Sequence, residues 1–229
     1  MATIVDLSLD IYDKAPTFWA DPKTAVIEHL NIGNLGYNIT QLMMSTHLGT
    51  HVDAPFHFYQ QGKTVDKLDL SKGFGPAEVL DFSSKGPREE ITQKELLAYD
   101  RRIRQGSRIL IRTGWDKVLP EDRYFSDFPG LRPEACAILA EREIACIAMD
   151  MPSVYGPDSV TAHHALLGAE VLIVEGLAHL EKLTSQQVFF VALPLRIRGR
   201  DGSPCRAIAI DGLSEEEMNI LCSLHDTEM

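Results

Sequence analysis

Cysteine is scarce and scattered in this chain. Cys136, Cys146, Cys205 and Cys222 form no C-x-x-C pair among 229 residues, which excludes a disulfide framework and a thiolate zinc site. Reduced, mostly buried thiols are the reading, and they place the protein in the cytoplasm. Long hydrophobic runs are missing too: the longest, such as 188–195, fall far short of the roughly 20 residues that span a bilayer. Residues 1–10 lack the basic and apolar regions of a signal peptide, so no membrane partner is expected. Positive charge is the minority sign. With 33 acidic against 22 basic residues the net charge is −11 and the pI about 5.1, which excludes broad phosphate-backbone binding and makes nucleic acid a poor partner. No G-x-S-x-G elbow occurs, and Ser153 has no base near it in sequence, which argues against a covalent serine route.

What is present is ordinary globular composition, 45% hydrophobic and 24% charged, enough for a sizeable core. Nothing repeats at 20 to 50 residues and no stretch reads as a linker, so residues 1–229 are expected to form a single domain. Apolar, β-rich runs bounded by Gly, Pro, Asp or Ser predict strands over 5–9, 37–46, 77–82, 108–113, 144–149, 171–174, 188–197 and 206–210. Helix start signals are fewer. Thr92 with Glu95 forms a capping box, Pro133 suits a first helical turn, and Ser214 with Glu217 opens a short terminal helix or tail over 214–229. Strands outnumber helices without alternating with them, so the fold class is α+β, strand-rich, with a mixed, largely antiparallel sheet. Asp201-Gly202, between two strands, reads as a hairpin loop or an ordinary surface loop.

Histidine is the informative residue. Three of eight, His47, His51 and His57, fall within eleven positions. The β-branched Thr46, Thr50 and Val52, together with Gly49 and Pro55, disfavour a helix here. Taken as one strand, the segment puts His47, Gly49, His51 and Asp53 on one face, with Gly49 leaving room for an ion between the imidazoles. Two imidazoles and a carboxylate suit Zn²⁺, and also Mn²⁺ or Fe²⁺. The bland alternative, polar strand residues satisfied by carbonyls, is hard to maintain for three donors in register. His57, beyond the Pro55 bend, is either a further ligand or an acid/base. A second titratable region holds His163 and His164, one of which can face the site, followed by Glu175 in an apolar run. A buried lone carboxylate costs several kcal/mol, so Glu175 either seeks a cation or lies just past the strand end at the surface.

Segment 47–57, H-x-G-T-H-x-D-x-P-x-H, resembles the signature of the metal-dependent cyclase family, which includes bacterial kynurenine formamidases and isatin hydrolases. Further similarity lies in Arg112-Thr113-Gly114-Trp115, Phe128-Pro129-Gly130-Leu131, Met149-Asp150-Met151-Pro152-Ser153, His163-His164-Ala165-Leu166-Leu167 and Leu193-Pro194-Leu195-Arg196-Ile197. The resemblance implies a swivelling β/β/α fold and a homodimer or higher homo-oligomer. It implies a first metal on His47, His51 and Asp53, with Asp53 and Glu175 reaching a second ion held also by His163, twelve residues before the glutamate. His57 matches the catalytic acid/base, and Trp19 matches a substrate-stacking tryptophan, its alternative being a surface or interface residue. Ala20-Asp21 follows Trp19 where formamidases read W-P-G-D. The implied activity is hydrolysis of an amide, cyclic imide or lactone in a small, aromatic or cyclic substrate, with one or two divalent ions, Zn²⁺ ahead of Mn²⁺. Two other readings share the site: a polyketide-type cyclase or dehydratase, and a metal-binding protein without turnover.

Overall fold

A computed structural model describes residues 1–223. Its main sheet takes strands β1 (Thr3–Asp6), β4 (His51–Asp53), β5 (Phe74–Asp81), β7 (Arg108–Arg112), β9 (Cys146–Met149), β10 (Leu172–Glu175), β11 (Gln187–Pro194) and β12 (Gly202–Asp211), in the order β1-β12-β11-β5-β7-β9-β10-β4. Because β12 also pairs with β4, seven strands close into a ring, with β1 added on β12. The β5-β7-β9-β10 segment is parallel and the remaining pairings are antiparallel, which matches the mixed, mostly antiparallel sheet expected. Outside the ring, β2 (Ala25–Leu30) and β3 (Ile39–Met43) make a hairpin around the short helix α1 (Ile32–Leu35), and β6 (Glu90–Ile91) pairs with β8 (Gly130–Leu131).

The continuous apolar runs of the central strands β7, β9 and β10 are explained by burial of both their faces. Leu110, Cys146, Ala148, Leu172 and Val174 point into the ring, where small side chains such as Ala77, Ala192, Ala207 and Ala209 fill the restricted interior. Their neighbours Ile109, Ile111, Ile147, Met149 and Ile173 point outward under the helices. Two helices cover that outer face: α3 (Pro133–Glu141), begun by Pro133 as expected, and α4 (Ser159–Gly168), capped by Asp158 accepting from the Thr161 N–H at 3.1 Å. Helix α2 (Gln93–Leu96) has its Thr92/Glu95 capping box with both bonds formed. Helix α5 (Glu215–Ser223) opens with the Ser214/Glu217 pair; the rest of the expected 214–229 segment lies outside the described residues.

Two of the sequence motifs meet behind the sheet. Asp150, fully buried, accepts hydrogen bonds from the Thr113 N–H at 2.9 Å, the Thr113 hydroxyl at 2.5 Å and the Gly114 N–H at 2.7 Å. Burial pushes its carboxyl up to about 6 against these donors, which favour the ionised form. Asp150→Ala orphans all three donors and is expected to cost about 2–4 kcal/mol in urea unfolding. A variant as stable as the parent would show that water replaces the carboxylate.

Candidate metal centre

The expected strand from His47 to Asp53 is only partly realised. Regular pairing covers His51–Asp53 alone, and residues before it form a turn in which Gly49 takes φ +62°. Gly49 therefore does not separate two imidazoles along a pleat. It reverses the chain, and its carbonyl accepts from His51 Nδ1 at 3.0 Å. His47 still arrives beside His51, ring centroids 5.1 Å apart, but through the turn. The pleat itself behaves as expected over the last three residues: Val52 joins the ring interior while His51 and Asp53 face outward.

Register brings the remaining donors to that face. Glu175 ends β10 directly opposite His51, buried rather than on the surface. Gly202 of β12 lies opposite Asp53, where a Cβ would sit 2.8 Å from the His47 ring and 2.7 Å from the Val52 carbonyl. Helix α4 crosses the same face, burying His163; the neighbouring His164 points away against the Tyr59 ring at 4.7 Å.

Each buried imidazole is held through one nitrogen and presents the other. His51 Nδ1 is anchored on Gly49, and its Nε2 lies 3.4 Å from both Asp53 and Glu175. His163 Nδ1 is anchored on the Ser159 carbonyl at 2.7 Å, and its Nε2 lies 3.2 Å from Glu175 and 3.6 Å from Asp53. His47 Nε2 contacts Asp201 at 2.6 Å while Nδ1 faces Asp53 at 2.8 Å. Such outer partners fix ring orientation and tautomer around metals. Asp201 is a site residue that sequence reading did not find. It stands 154 positions from His47, and the local Asp-Gly signal pointed only to a turn.

Donor chemistry fits a cation. A neutral imidazole nitrogen facing a carboxylate sets lone pair against lone pair unless a proton or a metal lies between them. Asp53 Oδ2 is buried without a hydrogen-bond partner, although it faces His163. Asp53 also belongs to both compact donor groups of the centre, His51/Asp53/Glu175 and His47/Asp53/His57. A third group, Asp116/His179/Glu181, lies elsewhere and already contains the Lys117 ammonium.

Protons take the cation's place in the metal-free state. Burial alone would lower the His51 and His163 pKa, but Asp53 and Glu175 overcome it and raise both to about 10; Asp53 and Asp201 raise His47 to about 9. Burial opposes ionisation of Asp53 and Glu175, yet the surrounding histidines hold both carboxyls below their usual range. The sign follows: these pairs stabilise the metal-free fold fully between the ordinary carboxylate range and pH 6.5; that support fades as pH rises through 9–10 and the histidines lose their protons, and also as pH falls through the lowered carboxyl values. A metal must displace the same protons. Zn²⁺ loading at pH 7 is expected to release protons and to tighten with increasing pH, measured by calorimetry in buffers of different ionisation enthalpy. Affinity independent of pH would contradict the arrangement.

His57 sits differently. It lies on a 3-10 turn, Pro55–His57, stacked on His47 with centroids 4.0 Å apart. Burial of its ring and the neighbouring His47 and His163 lower its pKa against the pull of Asp53, so it stays a free base near neutral pH. Phe58 stacks on His163 at 4.5 Å, backing the centre from the other side.

A cavity of about 250 Å³ opens on His47 and His51, walled by Tyr12, Phe18, Leu119, Tyr124 and Phe125. Trp19 does not reach it. Its side chain is 92% exposed and borders an adjoining cavity of about 550 Å³ that shares Phe18 and Phe125.

Imidazoles and carboxylates converging beside an apolar cavity define a metal-dependent enzyme. The family model described as putative cyclase matches residues 5–155. A kynurenine formamidase of Salinibacter ruber is 35% identical over 179 residues, covering 76% of this chain and 80% of that protein, and one of Bacillus mycoides is 38% identical over 174 residues, covering 75% and 79%. Among solved structures, a potential metal-dependent hydrolase with cyclase activity superposes with TM-score 0.79 at 25% identity, covering 93% of this chain and all of that one. Isatin hydrolase A from Labrenzia aggregata gives TM-score 0.82 at 26% identity, covering 92% and 94%. The chain belongs to the cyclase family.

Proposed function

We propose that this protein is a metal-dependent hydrolase that opens an amide, cyclic imide or lactone bond in a small aromatic or cyclic substrate. The observation that carries this reading is the shared pattern of His47, His51 and His163, each tied back through one nitrogen and turned through the other onto Asp53 or Glu175. His47, His51 and Asp53 would hold a first divalent ion. Asp53, His163 and Glu175 would hold a second, giving one or two ions per chain. Zn²⁺ suits this nitrogen and oxygen set best, with Mn²⁺ next.

When bound, such an ion supplies Lewis acidity, polarising a carbonyl and lowering the pKa of water to about 7. The protein's own groups do the rest. His57, a free base beside His47, accepts a proton from the attacking water and returns it to the leaving nitrogen. Phe18, Tyr124 and Phe125 hold the ring and exclude solvent. Trp19, on the same segment as Phe18, closes over a substrate that extends into the adjoining cavity. The relatives named for kynurenine formamidase and isatin hydrolase support aryl-formamide-like or isatin-like substrates.

The same reading takes residues 1–229 as one domain of the swivelling β/β/α type. It also takes the protein as a cytoplasmic homodimer or larger homo-oligomer. Free cysteines support the compartment, and the β2–β3 hairpin, which exposes Ile27, Leu35, Tyr37, Ile39, Leu42 and Met43, supports the assembly.

Elemental analysis of purified protein, followed by a screen of formylkynurenine, isatin and small lactones after metal loading, tests the proposal. Active protein free of metal would overturn it, and turnover of polyketide-like substrates alone would move the protein to the cyclase or dehydratase class. In the same assays, His163→Ala is expected to lower metal content and His164→Ala to leave it intact. The reverse order would shift the assignment by one residue.

A further inference from the structure

In the cavity beside His47 and His51, positive charge is confined to the metal centre. Its walls are otherwise apolar or phenolic, from Tyr12, Phe18, Leu119, Tyr124, Phe125 and Pro152. Apart from the two imidazoles, the single acidic or basic residue among its described lining residues is Asp10. Asp10 is exposed and makes no hydrogen bond or ion pair among the described residues. The cation near it, Arg206, is already held in a two-pronged pair by Asp6. A carboxylate placed at the Asp10 end of this space, away from the positive charge of the metal centre, meets a negative charge that Arg206, already paired with Asp6, offsets only in part, whereas an ammonium group there meets an acceptor.

We infer that Asp10 is a charge filter that selects neutral or amine-bearing aromatic substrates and disfavours those carrying a carboxylate away from the scissile bond. The inference rests on the hydrolase reading and narrows it. An amide bearing an anionic side chain fits this cavity less well than a neutral formanilide or a lactam of one or two rings, which suits about 250 Å³. Asp10 acts through charge on the far end of the substrate and takes no part in the chemistry, so it sets the ranking among substrates and leaves the neutral rate alone.

A matched set of formanilides carrying a methyl, an aminomethyl or a carboxylate group at the para position provides the test, compared between the parent and Asp10→Asn. Taking the ratio between the two proteins cancels the intrinsic reactivity of each substrate. The parent's kcat/KM preference for the ammonium over the carboxylate substrate is expected to fall about five- to twenty-fold in Asp10→Asn. Turnover of the methyl substrate should stay within about two-fold, and the preference should shrink at 0.5 M salt as charges are screened. An unchanged preference in Asp10→Asn overturns the inference while leaving the hydrolase reading intact. If no formanilide is turned over, hydrolysis of this substrate class fails. The filter is then read by calorimetry with the matching N-methylbenzamides, where equal affinities for the ammonium and carboxylate forms in the parent would overturn it.

Discussion

His51→Ala is expected to yield folded protein that carries less than stoichiometric metal and loses about 10³-fold or more in kcat/KM, even with added Zn²⁺. His51 is the imidazole placed between both carboxylates, 3.4 Å from each, with its ring fixed by the Gly49 carbonyl. Removing it takes a donor from the group that also contains Asp53 and Glu175, and it leaves those two buried acids facing each other with one fewer partner. Elemental analysis together with a rate measured at saturating metal checks both parts. Retention of a full complement of ion with full activity would remove His51 from the centre.

His57→Ala separates proton handling from ligation. The variant is expected to keep its first ion and its unfolding midpoint while kcat falls about 10²- to 10⁴-fold. Stacking on His47, a lowered pKa and an edge open to solvent describe a base that exchanges protons at neutral pH. Its ring nevertheless lies in one compact group with His47 and Asp53. Loss of metal in His57→Ala would therefore make it a ligand, and unchanged kcat in metal-replete protein would remove the role altogether.

The parts of this molecule that sequence made legible are those set by local rules. Each of the eight expected runs overlaps a strand, 5–9 only at its first two residues; runs such as 108–113 and 171–174 were legible because apolar stretches ended by turn residues mark strands buried on both faces, whereas 37–46 proved to be an exposed hairpin strand. The capping pairs Thr92/Glu95 and Ser214/Glu217 worked for the same reason. Helix α4 was missed: its Asp158 cap lacks a following glutamate at the third position, and its ten residues carry two histidines where an apolar stripe would announce a helix. Strand β2 was missed because Glu28 and His29 interrupt its apolar run. In the metal centre, donor types were legible and directions were not. The pleat argument placed His51 and Asp53 correctly, failed at Gly49 where the chain turns left-handed, and could not supply Asp201, whose partnership with His47 depends on closure of the ring.

That closure carries a further consequence for how the chain tolerates mutation. The seam of the barrel is β4, three residues long, paired with β10 on one side and β12 on the other, and His51 and Asp53 are two of those three. Most enzymes can separate substitutions that harm chemistry from those that harm architecture, and drift at one leaves the other free to vary. Here the strand that carries two of the donors is also the strand that closes the ring. A change that disturbs the backbone of these three residues therefore strikes the donors and the closure of the ring together.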